Sequence, residues 1–484
     1  METKTRKIVM VIICLFVCTA MQSQQMTKET FYVQGNESSV DVRDFSHVLL
    51  NNDRFNWTKT RSGADKGFRW IDRISNMPDY LTSFYNDYGA KVNEVLNGGS
   101  NWLSDPTVAV YDSQGNRYLV EIKTFEGSAV FDYPGDASSD LIQNYATEAV
   151  QAELHKNWTE VDCFMTYLSV CLSWDYPEAF WLRNTFRWSY SSMYTMEYGG
   201  GSGTVSYSQF AYFLVQEKGY DRRQQEFQSP ELISSAAVDY NNKVKAILGE
   251  CPESSNYEKV VYINDWLTKN NLYNEQYAVL AELPDIVYSP LSALAGLTGA
   301  EGPVCEGYAR AFKILCDQKG IPCVLMAGDA KSSSVSKGES HMWSEVQMDD
   351  GKWYAVDVTW NDPIVSGISE KVSGFENHDW FLLGSQDLVA DNWTFEASHP
   401  FGGFASAKEE VISHWQVGPL SLIADHKYDP STGIDAAAAN IDPMLRVYSL
   451  DGKFLGVFKS AADLRESLNT RQVLIVNGKK TFSK

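Results

Sequence analysis

The sequence predicts an α+β chain in which a helix beginning at Cys305 packs on an antiparallel sheet formed by the residues after it. Three observations carry this. Apolar residues at helical spacing, Tyr308, Phe312, Leu315 and Cys316, stop at Lys319-Gly320-Ile321-Pro322, a basic last turn, a left-handed glycine cap and a proline. Extended runs follow at 323–327, 341–348 and 352–360, the last two joined by the turn signal Asp349-Asp350-Gly351. Long helical stretches precede this region, and short β-type runs follow Phe404.

With 484 residues the chain exceeds what one hydrophobic core serves, so two or three domains are expected. The divisions expected are a signal peptide at 1–23, a mixed α/β region at 24–136, a catalytic domain at 137–404, a β segment and linker at 405–440, and a small C-terminal β module at 441–484. Aromatic residues at 13% and charged residues at 21% mark a globular composition. A formal net charge of -21 repels nucleic acid and anionic membrane surfaces, which excludes both as partners.

The first residues have the form of a secretory signal: Lys4, Arg6 and Lys7, an apolar core from Ile8 to Ala20, and the exit Met21-Gln22-Ser23. No other stretch is long and apolar enough to cross a bilayer, so a soluble secreted or cell-surface protein is expected after cleavage. Six cysteines then remain: Cys163, Cys171, Cys251, Cys305, Cys316 and Cys323. On one helix Cys163 and Cys171 would stand roughly 12 Å apart along the axis, too far to bridge. All but Cys305 are read as buried apolar groups.

In chain order, 80–96 is helical, and 108–111 with 118–122 forms a hairpin around Gln114-Gly115-Asn116. Asp112 and Glu121-Ile122-Lys123 are read as a solvated strand face. Tyr133-Pro134-Gly135-Asp136 punctuates the chain before a long helix from Leu141 to about Trp174, and Gly199 to Gly203 is read as a flexible loop. Another helix covers 230–248. Ser255 with Glu258 forms a capping box, and Val260, Ile263, Trp266 and Leu267 give the stripe of the helix it opens. Asp429 to Asn440 is linker-like. The alternation at 445–450 and 473–476 then marks the β module.

The chemistry concentrates between Gly299 and Pro363. Cys305 falls in the first turn of its helix, where the dipole lowers a thiol pKa, with Glu306 opposing in part. His341 and Asp357 lie on adjacent strands, and register decides whether they meet. A two-residue loop at Asp350-Gly351 would send Asp357 to the opposite face. A three-residue loop with Gly351 left-handed pairs His341 with Thr359 and Trp343 with Asp357, making His341 and Asp357 diagonal neighbours. Glycine at the third loop position selects this register. Cys305, His341 and Asp357 then supply a thiolate, an imidazole to hold its proton and a carboxylate to fix the tautomer. The Cys305 N–H is a natural oxyanion donor, and no second donor is placed. Close ligand pairs are missing from the spacing, so no metal is expected.

Gly302-Pro303-Val304-Cys305-Glu306-Gly307-Tyr308-Ala309, His341-Met342-Trp343 and Trp353-Tyr354-Ala355-Val356-Asp357-Val358-Thr359-Trp360 resemble the transglutaminase-like superfamily. Asp265-Trp266-Leu267 and Asn271-Leu272-Tyr273-Asn274 match its leading helix and the segment after it, and the likeness covers roughly residues 140–400. The resemblance implies a papain-like core and acyl transfer through a thioester, with Cys305 as nucleophile, His341 as base and acid, and Asp357 as orienter. It implies no cofactor and a protein or peptide substrate, and it favours hydrolysis over crosslinking because the flanking domains of animal crosslinking enzymes are missing. Residues 445–484 resemble the C-terminal sorting-type β tails of secreted Bacteroidetes-like proteins, through Val447-Tyr448-Ser449-Leu450-Asp451-Gly452-Lys453, which implies an export machinery as partner.

Overall fold

The structure is a computed structural model that describes residues 11–12, 26–41, 69–99, 109–110, 117–181, 185–217, 230–279, 288–300, 302–331, 338–362, 376–389, 393–401, 423–430, 445–449, 454–458, 464, 473–476 and 479–482. The turn expected at 114–116, residues 332–337, residues 405–422 and residues 431–440 of the expected linker lie outside them.

Strands β1 (Val11–Ile12), β2 (Thr27–Asp41), β3 (Ala109–Val110), β4 (Arg117–Asp132), β5 (Thr185–Gly199) and β6 (Ser202–Glu217) form one antiparallel sheet in the order β1-β2-β5-β6-β4-β3. The short β1 lies inside the stretch read as the signal peptide. Strands from both sides of residue 137 share this sheet, so the division expected there runs through continuous hydrogen bonding. Gly199 to Gly203 is not a flexible loop. Gly199 pairs with Ser202, and Gly200 and Gly201 turn at φ of 64° and 92°, left-handed values that match the twist of a two-residue hairpin. The glycines provide a tight turn here, and composition alone misread them.

Helix α1 (Asp79–Leu96), the 37-residue α2 (Ser139–Asp175) and α3 (Pro230–Gly249) follow the expected periods. At 1.5 Å per residue α2 is roughly 55 Å long and serves two cores. Ile142, Ala146, Val150 and Leu154 lie under the sheet against Phe131, Tyr194 and Val205. Val161 to Trp174 lies in the main core, which holds the Cys305 helix. At its end the Asp175 carboxylate accepts N–H bonds from Trp70 and Ile71 and the Tyr85 hydroxyl, tying a 3₁₀ turn (Trp70–Arg73) into the core. Trp181 and Trp188 are buried. Glu121 and Lys123 are exposed, as a solvated face requires.

Helices α4 (Asn256–Asn270), α5 (Glu275–Val279), α6 (Ala293–Thr298) and α7 (Cys305–Gln318) lead into strands β7 (Cys323–Ala330), β8 (Glu339–Gln347), β9 (Trp353–Val356) and β10 (Phe381–Leu383). The capping box forms: Glu258 N–H donates to Ser255 Oγ at 3.2 Å, and Ser255 N–H to the Glu258 carboxylate at 3.4 Å. In α7, Tyr308, Phe312, Leu315 and Cys316 are all fully buried. The helix closes with Gly320 at φ 72°, Ile321 N–H on the Cys316 carbonyl and Gly320 N–H on that of Asp317. The sheet order is β10-β9-β8-β7, antiparallel throughout. Helix α8 (Phe395–Ser398) follows, and a separate sheet of β11 (Leu445–Ser449), β12 (Phe454–Phe458), β13 (Val473–Val476) and β14 (Lys479–Phe482) forms the C-terminal module. The fold is α+β, with a helix headed by Cys305 packed on an antiparallel sheet.

Candidate active site

Cys305 is the first residue of α7, and no side chain caps that helix end, since Val304 occupies the cap position. The first N–H groups of α7 therefore receive no oxygen from the cap residue. Cys305 is half-buried, whereas Cys163, Cys171, Cys251, Cys316 and Cys323 are buried and form no disulfide among the described residues. Two loops hold this turn in place. Val304 N–H donates to the Pro290 carbonyl at 2.9 Å, and Asn274 N–H to that of Pro303 at 3.1 Å. Gly302 turns at φ 71° with the Leu272 carbonyl 2.1 Å from where a Cβ would sit, so only glycine fits.

Buried contacts on the far side of α7 fix its roll. Arg310 is fully buried, with Nε 2.8 Å from Glu306, and it donates to the Ser173 carbonyl and hydroxyl of α2 at 2.7 and 2.6 Å. Glu306 was expected to oppose the thiolate from the first turn. Its charge is instead neutralised by Arg310, which turns it into a brace.

The β8–β9 hairpin has the expected register. Ser344 pairs with Val356, Val346 with Tyr354, and Gln347 with Trp353; Gly351 is left-handed at φ 78° and its N–H closes on the Met348 carbonyl. His341 and Asp357 therefore share a face, with His341 Nε2 2.7 Å from Asp357 Oδ2. Asp357 lies just past the end of β9, where its N–H donates to the Trp380 carbonyl and its Oδ1 accepts the Trp360 N–H at 3.1 Å. With Nε2 committed to Asp357, Nδ1 is the nitrogen that His341 presents to Cys305, whose side chain it contacts. Burial disfavours the imidazolium. Asp357 and Cys305 outweigh it and push the His341 pKa up to about 10. The same pairing, with a second histidine, holds the buried Asp357 well below the usual carboxylate range against its own burial.

That second histidine is His399, which no local sequence pattern marks. It follows α8, is buried, and donates from Nε2 to the same Oδ2 at 3.1 Å. Phe395 stacks on it at 4.4 Å, with Trp360, Trp343 and Trp380 around it. The available signal was a histidine before a proline, one of only seven in the chain. His341, Asp357 and His399 bring ligand-type atoms within 4.8 Å of one another, a cluster that sequence spacing did not show. Two Nε2 atoms at 2.7 and 3.1 Å from one oxygen are at proton-sharing distance; ligands around zinc stand about 3.3 Å apart. Tyr273, also unforeseen, lies by the Cys305 N–H. Burial, then the Cys305, Glu339 and Asp357 charges, raise its phenol.

Residues 245–358 match the family model of the transglutaminase-like superfamily, a span that takes in Cys305, His341 and Asp357 and leaves His399 outside. The chain thus carries a transglutaminase-like domain. Kyphoscoliosis peptidase from Homo sapiens and that from Mus musculus are each 30% identical over 106 residues, 20% of this chain. The chain spans 16% of the length of these curated relatives. A crystal structure of a TGase aligns with 39% of this chain and 48% of its own at 16% identity and a TM-score of 0.23.

Proposed function

We propose that this chain is a thiol acyl-transfer enzyme that hydrolyses peptide or isopeptide amide bonds, with Cys305 as nucleophile, His341 as base and acid, and Asp357 as orienter. The observation that carries the reading is His341 held between Asp357, on Nε2, and Cys305. The peptidase names of the human and mouse relatives support hydrolysis.

His341 Nδ1 first takes the proton from Cys305 Sγ. Sγ attacks the substrate carbonyl carbon, and the resulting oxyanion faces the N–H of Cys305 at the head of α7. The C–N bond then breaks as His341 gives its proton to the departing amine, leaving a thioester. Nδ1 next takes a proton from water, which attacks the thioester carbon and releases the acid and the thiolate. Asp357 stays ionised throughout and holds the imidazole plane.

The test is turnover of glutamine and isopeptide substrates in the presence of a labelled primary amine. Release of acid and amine, abolished in Cys305→Ala, is the expected result. Incorporation of the amine without net hydrolysis would replace the reading with crosslinking. The basic start and apolar core of residues 1–23, and the tail at 445–484, support export to the cell surface or beyond. Finding the protein inside cells with its first residues intact would overturn that.

A further inference from the structure

We infer that His399 is a positioning residue of the site: the Nε2 hydrogen bond it makes to Asp357 sets the strength of the Asp357–His341 pair and thereby the ionisation of Cys305. This rests on the reading of Cys305 and His341 above.

Asp357 is fully buried, and its carboxylate accepts three N–H groups: His341 Nε2 and His399 Nε2 on Oδ2, and the Trp360 backbone on Oδ1. An ionised carboxylate removed from water survives only with such bonds. Because its partner is a carboxylate, His399 carries its proton on Nε2, and Nδ1 is left as a lone-pair acceptor. That Nδ1 is buried with no hydrogen-bond partner among the described residues. A second proton on His399 would have nothing to bind it there, so His399 stays neutral. It donates a bond to Asp357 without competing for its charge, and the full charge remains for His341.

The placement of His399 is built by the fold. Ser398 Oγ donates to the Lys331 carbonyl at 2.8 Å, and Lys331 N–H to the Ser398 carbonyl at 2.9 Å, clamping the end of α8 beside β7. His399 N–H closes on the Phe395 carbonyl at 2.8 Å, and the Phe395 ring lies 12° from parallel to the imidazole. The ring is therefore fixed in plane as well as position. A histidine kept only to fill space would not need its one N–H on the oxygen that binds His341.

The titratable groups acting on this pair are Cys305 from α7, which contacts His341, and Tyr273 from the segment before α5, on which Asp357 and Glu339 of β8 both act. None of these is altered in the test. Cys305 alkylation by iodoacetamide, read by mass spectrometry of its peptide, is followed against pH in the full chain. Variants are His399→Phe, which keeps a ring against Phe395 but no donor, and His399→Gln, whose amide nitrogen reaches as far as Nε2. The expected result is an alkylation midpoint shifted up by about one pH unit in His399→Phe and restored in His399→Gln. A profile in His399→Phe that superimposes on the wild type overturns the inference, as does an equal shift in both variants, which would mark a packing effect.

The parent reading fails separately, through a wild-type Cys305 that titrates as an ordinary thiol. In that case NMR titration of His341, which needs no reactive thiol, still decides. A lower His341 titration in His399→Phe that returns in His399→Gln sustains the inference, and unchanged titration overturns it.

Discussion

Nε2 of His341 and Oδ2 of Asp357 are 2.7 Å apart across sixteen residues, and the distance is set at the far end of the hairpin, by Gly351. Nothing lies within 4 Å of where a Cβ on Gly351 would sit. Gly351→Ala therefore tests conformation alone and should cost about 1 kcal/mol, read by urea unfolding, with the site intact. Deleting Asp350 should do more. A one-residue slip turns Asp357 to the other face, and turnover should fall at least ~100-fold even if the chain folds.

Asp357→Asn keeps the size of the side chain and removes its charge. The imidazolium then loses the partner that outweighs its burial, and turnover should drop by roughly 10³–10⁴-fold. NMR should show the His341 titration falling from its raised position. A variant that kept its rate would remove Asp357 from the mechanism.

The two histidines on Asp357 act on stability in opposite directions. His341 is raised to about 10, so the stability it contributes is full below its unfolded value of about 6.5 and is lost as pH rises from there through 10. His399 is lowered by burial, despite the pull of Asp357, so its contribution is lost as pH falls below about 6.5. The unfolding free energy of wild type minus His341→Gln should thus shrink on the alkaline side. Wild type minus His399→Phe should shrink on the acid side. Urea titrations from pH 5 to 9 would show both limbs.

Glu306 and Arg310 form a buried pair, so removing one charge should cost more than removing both. Glu306→Gln leaves a guanidinium in the core and should lower stability by about 3 kcal/mol. Pairing Glu306→Leu with Arg310→Met should recover most of that in thermal unfolding. Equal losses in the single and double variants would contradict the account.

Where local patterns and the fold agreed, the sequence was readable. The stripe and glycine cap of α7, the capping box of α4 and the loop at Gly351 are all decided within a few residues, and each stands as expected. Cys305 and His341 could be named because one heads a marked helix and the other opens a marked strand. His399 could not. It lies 42 residues beyond Asp357 with only a one-turn helix before it, and its meaning comes from a long-range bond to a shared oxygen. Tyr273 lies within a segment that resembles the superfamily, yet its place beside Cys305 depends on the crossing at Gly302. Gly200 and Gly201 show the opposite error, where a run of glycines that suggested looseness forms a two-residue turn.

The order of the large sheet has a consequence for the sequence of events during synthesis. β2 and β4 are both finished by residue 132, yet they do not pair with each other; β2 pairs with β5 and β4 with β6. β2 must therefore wait with an open edge until the ribosome has passed residue 199, and β4 until it has passed residue 217, with all of α2 made in between. Any helper that guards this chain as it is made has its work in that interval, shielding the open edges of two long strands from their counterparts on neighbouring copies.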